Sequence, residues 1–295
     1  MSLPSVPYQS SVGGGNSNSS DLAGNNTNEN NPNETNQHER THDARMLPVG
    51  MGRLSLLRDL NLANIPSLRS LPSSLGGKAM RLASIQIVDT SLESLPVQLT
   101  ALPQLVSLHI ERSNISAETG IIIAGLVHLR RLHLSSNPGM AGVVPSPLGR
   151  LTDLQSLVLS GIGLATMPQG ALDRLVSLRH LDLSENKLVA LPRLRAGLGG
   201  LQTLDLSRNR FVAVPSPLQW WAPQLKRLDM TDNRVAAGGG GFTLEAVSEA
   251  WKDVDTLRSV ALGGNAVCGT VLPVALVGGG WGGVVGAVLV TCVVV

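Results

Sequence analysis

The side chains whose types and positions could do chemistry here are His109, His133 and His180, the carboxylates Asp182, Asp205 and Asp229, and the cations Arg208 and Arg227. A pair of imidazoles can touch a divalent ion, but a stable site needs more ligands than two. A row of carboxylates attracts a basic partner and repels itself unless cations stand beside it. There is no Walker loop, paired C-x-x-C or G-x-S-x-G, so phosphate cradling, a thiol-ligated metal and an activated serine have no signature. We expect no catalytic residue, no metal and no cofactor, and assign these side chains to binding.

They share one surface only if the chain repeats, and it does. Leu178-Arg-His-Leu181-Asp-Leu183-Ser-Glu-Asn186-Lys-Leu188-Val-Ala-Leu191-Pro192 returns almost unchanged as Leu201-Gln-Thr-Leu204-Asp-Leu206-Ser-Arg-Asn209-Arg-Phe211-Val-Ala-Val214-Pro215. Leu181 and Leu183 alternate at period 2, so both enter a core while His180 and Asp182 point away from it. Asn186 ends the strand with an amide able to bond turn backbone that is otherwise buried without partners. Leu188 and Leu191 re-enter the core, and Pro192 can neither donate to a ladder nor continue a helix. One unit cannot bury its leucines alone; stacked units can.

Units begin at Leu57, Leu82, Leu105, Leu129, Leu154, Leu178, Leu201, Leu225 and Leu257. The asparagine position holds Asn137, Asn186, Asn209, Asn233 and Asn265, with Thr90, Ser113 and Ile162 in other units. The hydroxyls can still bond the turn; Ile162 cannot. This pattern resembles the leucine-rich repeat, L-x-x-L-x-L-x-x-N-x-L followed by a Pro-marked turn. The unit from Asn137 to Leu151 looks like the plant-type variant, and those with Leu95-Pro96 and Leu191-Pro192 look more like the intracellular and bacterial types. The resemblance implies an α/β solenoid (horseshoe) with a parallel concave β-sheet, irregular, 3₁₀ or helical convex returns, and a protein partner on the concave face. In that register His109 and His133 are neighbours, two solvated imidazoles on a polar face. Asp182, Asp205 and Asp229 form an acidic column that Arg208, Arg227 and His180 are placed to screen.

Composition bounds the rest. Of 295 residues 43% are hydrophobic but only 2% aromatic, so the core must be aliphatic. The net charge of +2 comes without a basic block, which leaves no electrostatic footprint for nucleic acid. Cys268 and Cys292 are too few for a disulfide framework, and Met1 to Pro7 lacks the charged and apolar regions of a cleavable signal. The expectation is a cytoplasmic chain or one delivered by a specialised secretion system.

Three segments follow. Residues 1–45, rich in Asn, Ser and Gly, have almost nothing to bury and read as a disordered leader. Residues 46–270 read as the solenoid, opened by a half-unit at Leu47 to Leu54 and interrupted at 238–257. There Leu244, Val247, Trp251, Val254 and Leu257 recur at helical spacing after Gly238-Gly-Gly-Gly241, predicting one amphipathic helix on the convex side. Residues 271–295 carry no charge and can span a membrane, cap the solenoid, or be a chain end that is not native sequence. The functional reading is a non-enzymatic protein-interaction module without nucleic acid or small-molecule substrate. Its alternatives are a bacterial effector that selects host proteins with its repeats, and a recognition protein anchored in a membrane through 271–295.

Overall fold

A computed structural model describes residues 46–77, 80–195, 197–215, 221–236, 256–269 and 289–291. The leader and all but the last two residues of the expected helical insertion lie outside the described residues.

Each of the nine units contributes one short strand, β1 Asp59–Ile65, β2 Ser84–Thr90, β3 Ser107–Glu111, β4 Arg131–His133, β5 Ser156–Val158, β6 His180–Asp182, β7 Thr203–Asp205, β8 Arg227–Asp229 and β9 Ser259–Ala261, and the tail adds β10 Leu289–Thr291. They form a single ten-stranded sheet in sequence order, with every neighbouring pair parallel. The register aligns Leu157, Leu181, Leu204 and Leu228 as one inward row. All four are at most 2% exposed, and the following alternate residues Leu159, Leu183, Leu206 and Met230 are completely buried. The solenoid and its parallel sheet are as the repeat implied.

The returns are tight. Pro48, Pro72 and Pro96 each precede a 3₁₀ turn, at Val49–Arg53, Ser73–Gly76 and Val97–Ala101. Proline presets the extended φ that enters such a turn and forfeits only an N–H with no partner there. The turns stack on one another so closely that a Cβ on Gly76 would collide with the Gln98 backbone. The half-unit at Leu47 to Leu54 stacks in the same way, a Cβ on Gly52 meeting the Ser74 backbone. The return at Gly120–Gly125 is helical, α1.

Every unit leaves its strand through a left-handed residue at one fixed position. Asn64, Asp89, Arg112, Ser136, Gly161, Glu185, Arg208, Asp232 and Gly264 all have φ between 44° and 69°. From Arg112 to Asp232 the amide of this residue donates to the next unit's backbone, as Glu185 does to the Ser207 carbonyl. The parallel ladder thus runs past the strand and holds a conformation most residues avoid.

The next residue is the buried asparagine. Asn209 Nδ2 lies 2.9, 3.0 and 3.1 Å from the carbonyl oxygens of Leu183, Leu206 and Ser207, and its Oδ1 accepts the Leu188 N–H at 2.9 Å. Asn186, Asn233 and Asn265 repeat this arrangement. Where the amide is missing, the Thr90 and Ser113 hydroxyls bond each other at 2.9 Å, and Ile162 is buried among apolar neighbours instead.

At the other end, Leu289–Thr291 of the apolar tail pairs in parallel with β9 and adds a strand to the sheet. Among the described residues no helix is long and apolar enough to cross a membrane. Two cysteines make no framework, yet Cys268 is disulfide-bonded, a cross-link the count did not predict.

Asn209→Ala should cost about 2 to 4 kcal/mol in chemical denaturation, because it leaves the Leu188 N–H and several carbonyls buried without partners. Asn137 Oδ1 accepts no hydrogen bond, so Asn137→Ala orphans no N–H and should cost about 1 kcal/mol less. Equal costs would remove the accepted N–H from the explanation.

Candidate functional site

The candidate site is the middle outward row of the concave sheet. Register places Asn61, Gln86, His109, His133, Val158, Asp182, Asp205, Asp229 and Ala261 in one line across β1 to β9. Parallel strands stand about 4.8 Å apart, so neighbours in this line are in contact range. The half-buried Val158 divides it into an imidazole part and a carboxylate part.

On the carboxylate side, each aspartate already has a structural task. Asp182, Asp205 and Asp229 each accept, through Oδ1, the backbone N–H two residues on, from Ser184, Ser207 and Thr231, at 2.9 Å. Asp229 also accepts the Thr231 hydroxyl at 2.9 Å. These bonds close the turn that leads to the left-handed residue. Asp205 stands between the other two, and its carboxyl titrates above the usual carboxylate range. Burial is the main cause, opposed by the bonds from Ser207 and reinforced by the charges of Asp182 and Asp229.

Of the expected screening cations, His180 and Arg227 lie in the row beside the aspartates and Arg208 lies past the strand. Arg208 is not on this row: it is a left-handed turn residue beyond the end of β7, and its guanidinium bonds Glu185 at 2.5 Å and faces Asp232 at 3.6 Å. Its pKa is raised by those partners. The period-2 alternation that orients strand residues does not reach it, past the end of the strand. Arg227 and His180 lie in the flanking row with Ser156 and Thr203. His180 Nδ1 is 2.5 Å from the Thr203 hydroxyl, and Arg227 is exposed.

On the imidazole side, His109 and His133 stack with ring centroids 3.9 Å apart and planes 14° from parallel. Glu111, which the sequence reading passed over, joins them: its Oε2 is 2.9 Å from His109 Nε2 and 3.9 Å from His133 Nε2. Glu111 follows His109 by two residues and so shares its face, a signal period 2 already contained. Its Oε1 accepts from Arg112, which also grips Asp89 through two bonds of 2.7 and 3.0 Å. That grip holds the exposed Asp89 carboxyl below its usual range and the Arg112 guanidinium above its own. Burial and the neighbouring His109 push the His133 imidazole down, against the charges of Glu111 and Asp182. A second overlooked signal is His38-Glu39-Arg40-Thr41-His42, which has the H-E-x-x-H spacing that ligates zinc when carried on a helix. It lies outside the described residues.

A family model described as leucine rich repeat matches residues 152–211. No curated protein matches the chain. Solved structures share the fold. The TLR13–ssRNA13 complex aligns with a TM-score of 0.57 at 22% identity, over 73% of this chain and 30% of that one. An internalin (inlF) of Listeria monocytogenes aligns at 0.54 and 18% identity, over 75% of this chain and 65% of its own. A leucine-rich repeat protein of Leptospira interrogans aligns at 0.52 and 20% identity, over 79% of this chain and 72% of its own. The chain thus spans less than two thirds of the length of the first two.

The raised carboxyl of Asp205 carries a stability consequence. Folding raises its pKa, so the folded chain binds more protons just above the ordinary carboxylate value, and stability falls as pH rises through that window. Ionised Asp205 is then a net cost at neutral pH. Asp205→Asn keeps an oxygen for the Ser207 N–H, so it should raise the thermal midpoint at pH 7, with the gain shrinking towards pH 3.5. A lower midpoint at pH 7 would contradict this.

Proposed function

We propose, from the premise that this chain is a leucine-rich repeat solenoid, that it is a non-enzymatic module whose concave face binds a protein through a basic segment. The observation that carries the reading is the row Asp182, Asp205, Asp229: three carboxylates aligned on adjacent strands, with Arg208 turned to other partners. Each is anchored through Oδ1 to its own backbone, so the row is held rigid before any partner arrives. A preorganised row loses little entropy on binding. Its charge supplies both attraction and selection, because like charges brought against it are repelled.

One similar structure is titled as a complex with single-stranded RNA, so the fold itself is compatible with nucleic acid. In this chain the acidic row would repel phosphates, which favours a protein partner. Small-molecule substrates have no part in this reading. His109, His133, His180 and Arg227 flank the acidic row and bound the footprint of the partner. Arg208, with its guanidinium shared between Glu185 and Asp232, stands at its edge. The effector and membrane-anchored readings differ from this one in where the module is found, not in how the face binds.

The test uses Asp→Asn at Asp182, Asp205 and Asp229 together, which removes charge while leaving an oxygen for each turn N–H. Binding of a fluorescent Arg/Lys-rich peptide should weaken at least about tenfold, given that close interfacial charge pairs couple by about 1.5 kcal/mol or more. Single-stranded RNA of equal length serves as the competing probe. Unchanged peptide affinity, or RNA binding tighter than peptide binding to the unaltered chain, would sink the proposal.

A further inference from the structure

We infer that His109, Glu111 and His133 form a binding site for a divalent transition-metal ion of the zinc class, separate from the acidic row. These residues offer two imidazole nitrogens and one carboxylate oxygen, all within 4.8 Å of one another. Zinc accepts that donor set, with Zn–N and Zn–O distances of about 2.0 to 2.2 Å, so tetrahedral donors stand roughly 3.3 Å apart. The separations of 2.9 and 3.9 Å from Glu111 Oε2 to the two Nε2 atoms bracket that value. From their stacked arrangement, 14° from parallel, the rings must swing apart to aim both lone pairs at one ion.

The surroundings are arranged as a metal site needs. Glu111 has one oxygen tied to Arg112 and the other turned towards both imidazoles, and Arg112 is itself fixed on Asp89. Outer partners of this kind orient a ligating carboxylate and hold it in place. His109 and His133 sit on rigid paired strands, which set their spacing before any ion arrives.

A plain hydrogen bond explains only half of the cluster. It accounts for His109 Nε2, which has Glu111 at 2.9 Å. It leaves His133 Nε2 buried with no hydrogen-bond partner. A buried nitrogen without a partner is costly, and a cation shared with Glu111 would satisfy it. Three protein ligands leave the fourth zinc position open, and on the concave face it opens to solvent or to a donor from a bound protein.

The experiment titrates ZnCl2 into the full chain after chelator treatment and dialysis, read by calorimetry and by thermal midpoint. His38 and His42 could contribute independently, so the same titration is run on a His38→Ala, His42→Ala background. Cys268 is disulfide-bonded and supplies no thiolate. The expected result is one ion per chain on that background, with a raised thermal midpoint, since a ligand of the native state stabilises it by mass action. His109→Asn, His133→Asn and Glu111→Gln should each weaken binding by more than about tenfold, at least what loss of an outer-shell partner costs. Co2+ in place of zinc should give the visible absorption of a four-coordinate ion, lost in the same variants. Absence of binding on the His38→Ala, His42→Ala background overturns the site. So does binding that survives all three cluster substitutions. Should one variant fail to fold, the other two decide.

Discussion

A parallel solenoid can stack only if the polar backbone at the end of every strand is paired inside the core, and here the buried asparagine does that work. Where the chain leaves the sheet, carbonyls of two successive units converge on a region no water reaches. A single amide meets them: Asn186 Nδ2 approaches the carbonyl oxygens of Leu159, Leu183 and Ser184, while its Oδ1 takes the Leu164 N–H. The bonds join adjacent units as much as they close one turn. Leu183 O, for example, serves both Asn186 and Asn209, and shared carbonyls link the amides into a seam from Asn186 to Asn265. Leucine burial supplies the driving force, but it is non-directional and would tolerate a slipped register. The seam is directional and would not.

Register fixed in this way determines what the concave face can hold. Because each strand places one residue in the same line, a property recurring once per unit becomes a row. The aspartates show how closely turn chemistry and surface charge are joined: the oxygen that closes a turn at Ser184, Ser207 or Thr231 belongs to a carboxylate whose charge faces outwards. Asparagine could close the same turn without the electrostatic cost that Asp205 bears between Asp182 and Asp229. A structural requirement therefore explains the oxygen and leaves the charge unexplained, and that residue of unexplained charge points to recognition.

Much of this was legible in the sequence, for reasons that also show where legibility stopped. Period 2 gave the inward rows through Leu181 and Leu204 and the outward neighbours His109 and His133, because a strand alternates its faces without regard to what surrounds it. The asparagine position was readable because few side chains can both donate and accept in so small a volume. The partners of Arg208 were not legible, because it follows the strand at a left-handed residue and its guanidinium pairs with Glu185 and Asp232 of the units on either side. Glu111 was within reach of the same alternation that identified His109, but its meaning arises from Arg112 and Asp89, a pairing across units that no local pattern announces. The pairing of Leu289–Thr291 with β9 was similarly hidden, since an apolar run suits a strand, a buried helix or a membrane span equally well.

The geometry of the acidic row also restricts what can bind it. The carboxylates repeat along the solenoid axis at the strand spacing, about 4.8 Å. An extended peptide lying along that axis presents same-side residues about 6.7 Å apart, and its charges drift out of step with the row within two positions. A helix in the same direction returns to one face about every 5.4 Å, so basic residues on successive turns stay within reach of three successive aspartates. An extended segment crossing the row at right angles meets one aspartate only and gains a third of the charge contact. For the basic partner proposed above, this spacing favours a helical segment aligned with the stack, and Val158, next in line after Asp182, would be an apolar seat where such a helix continues towards His133.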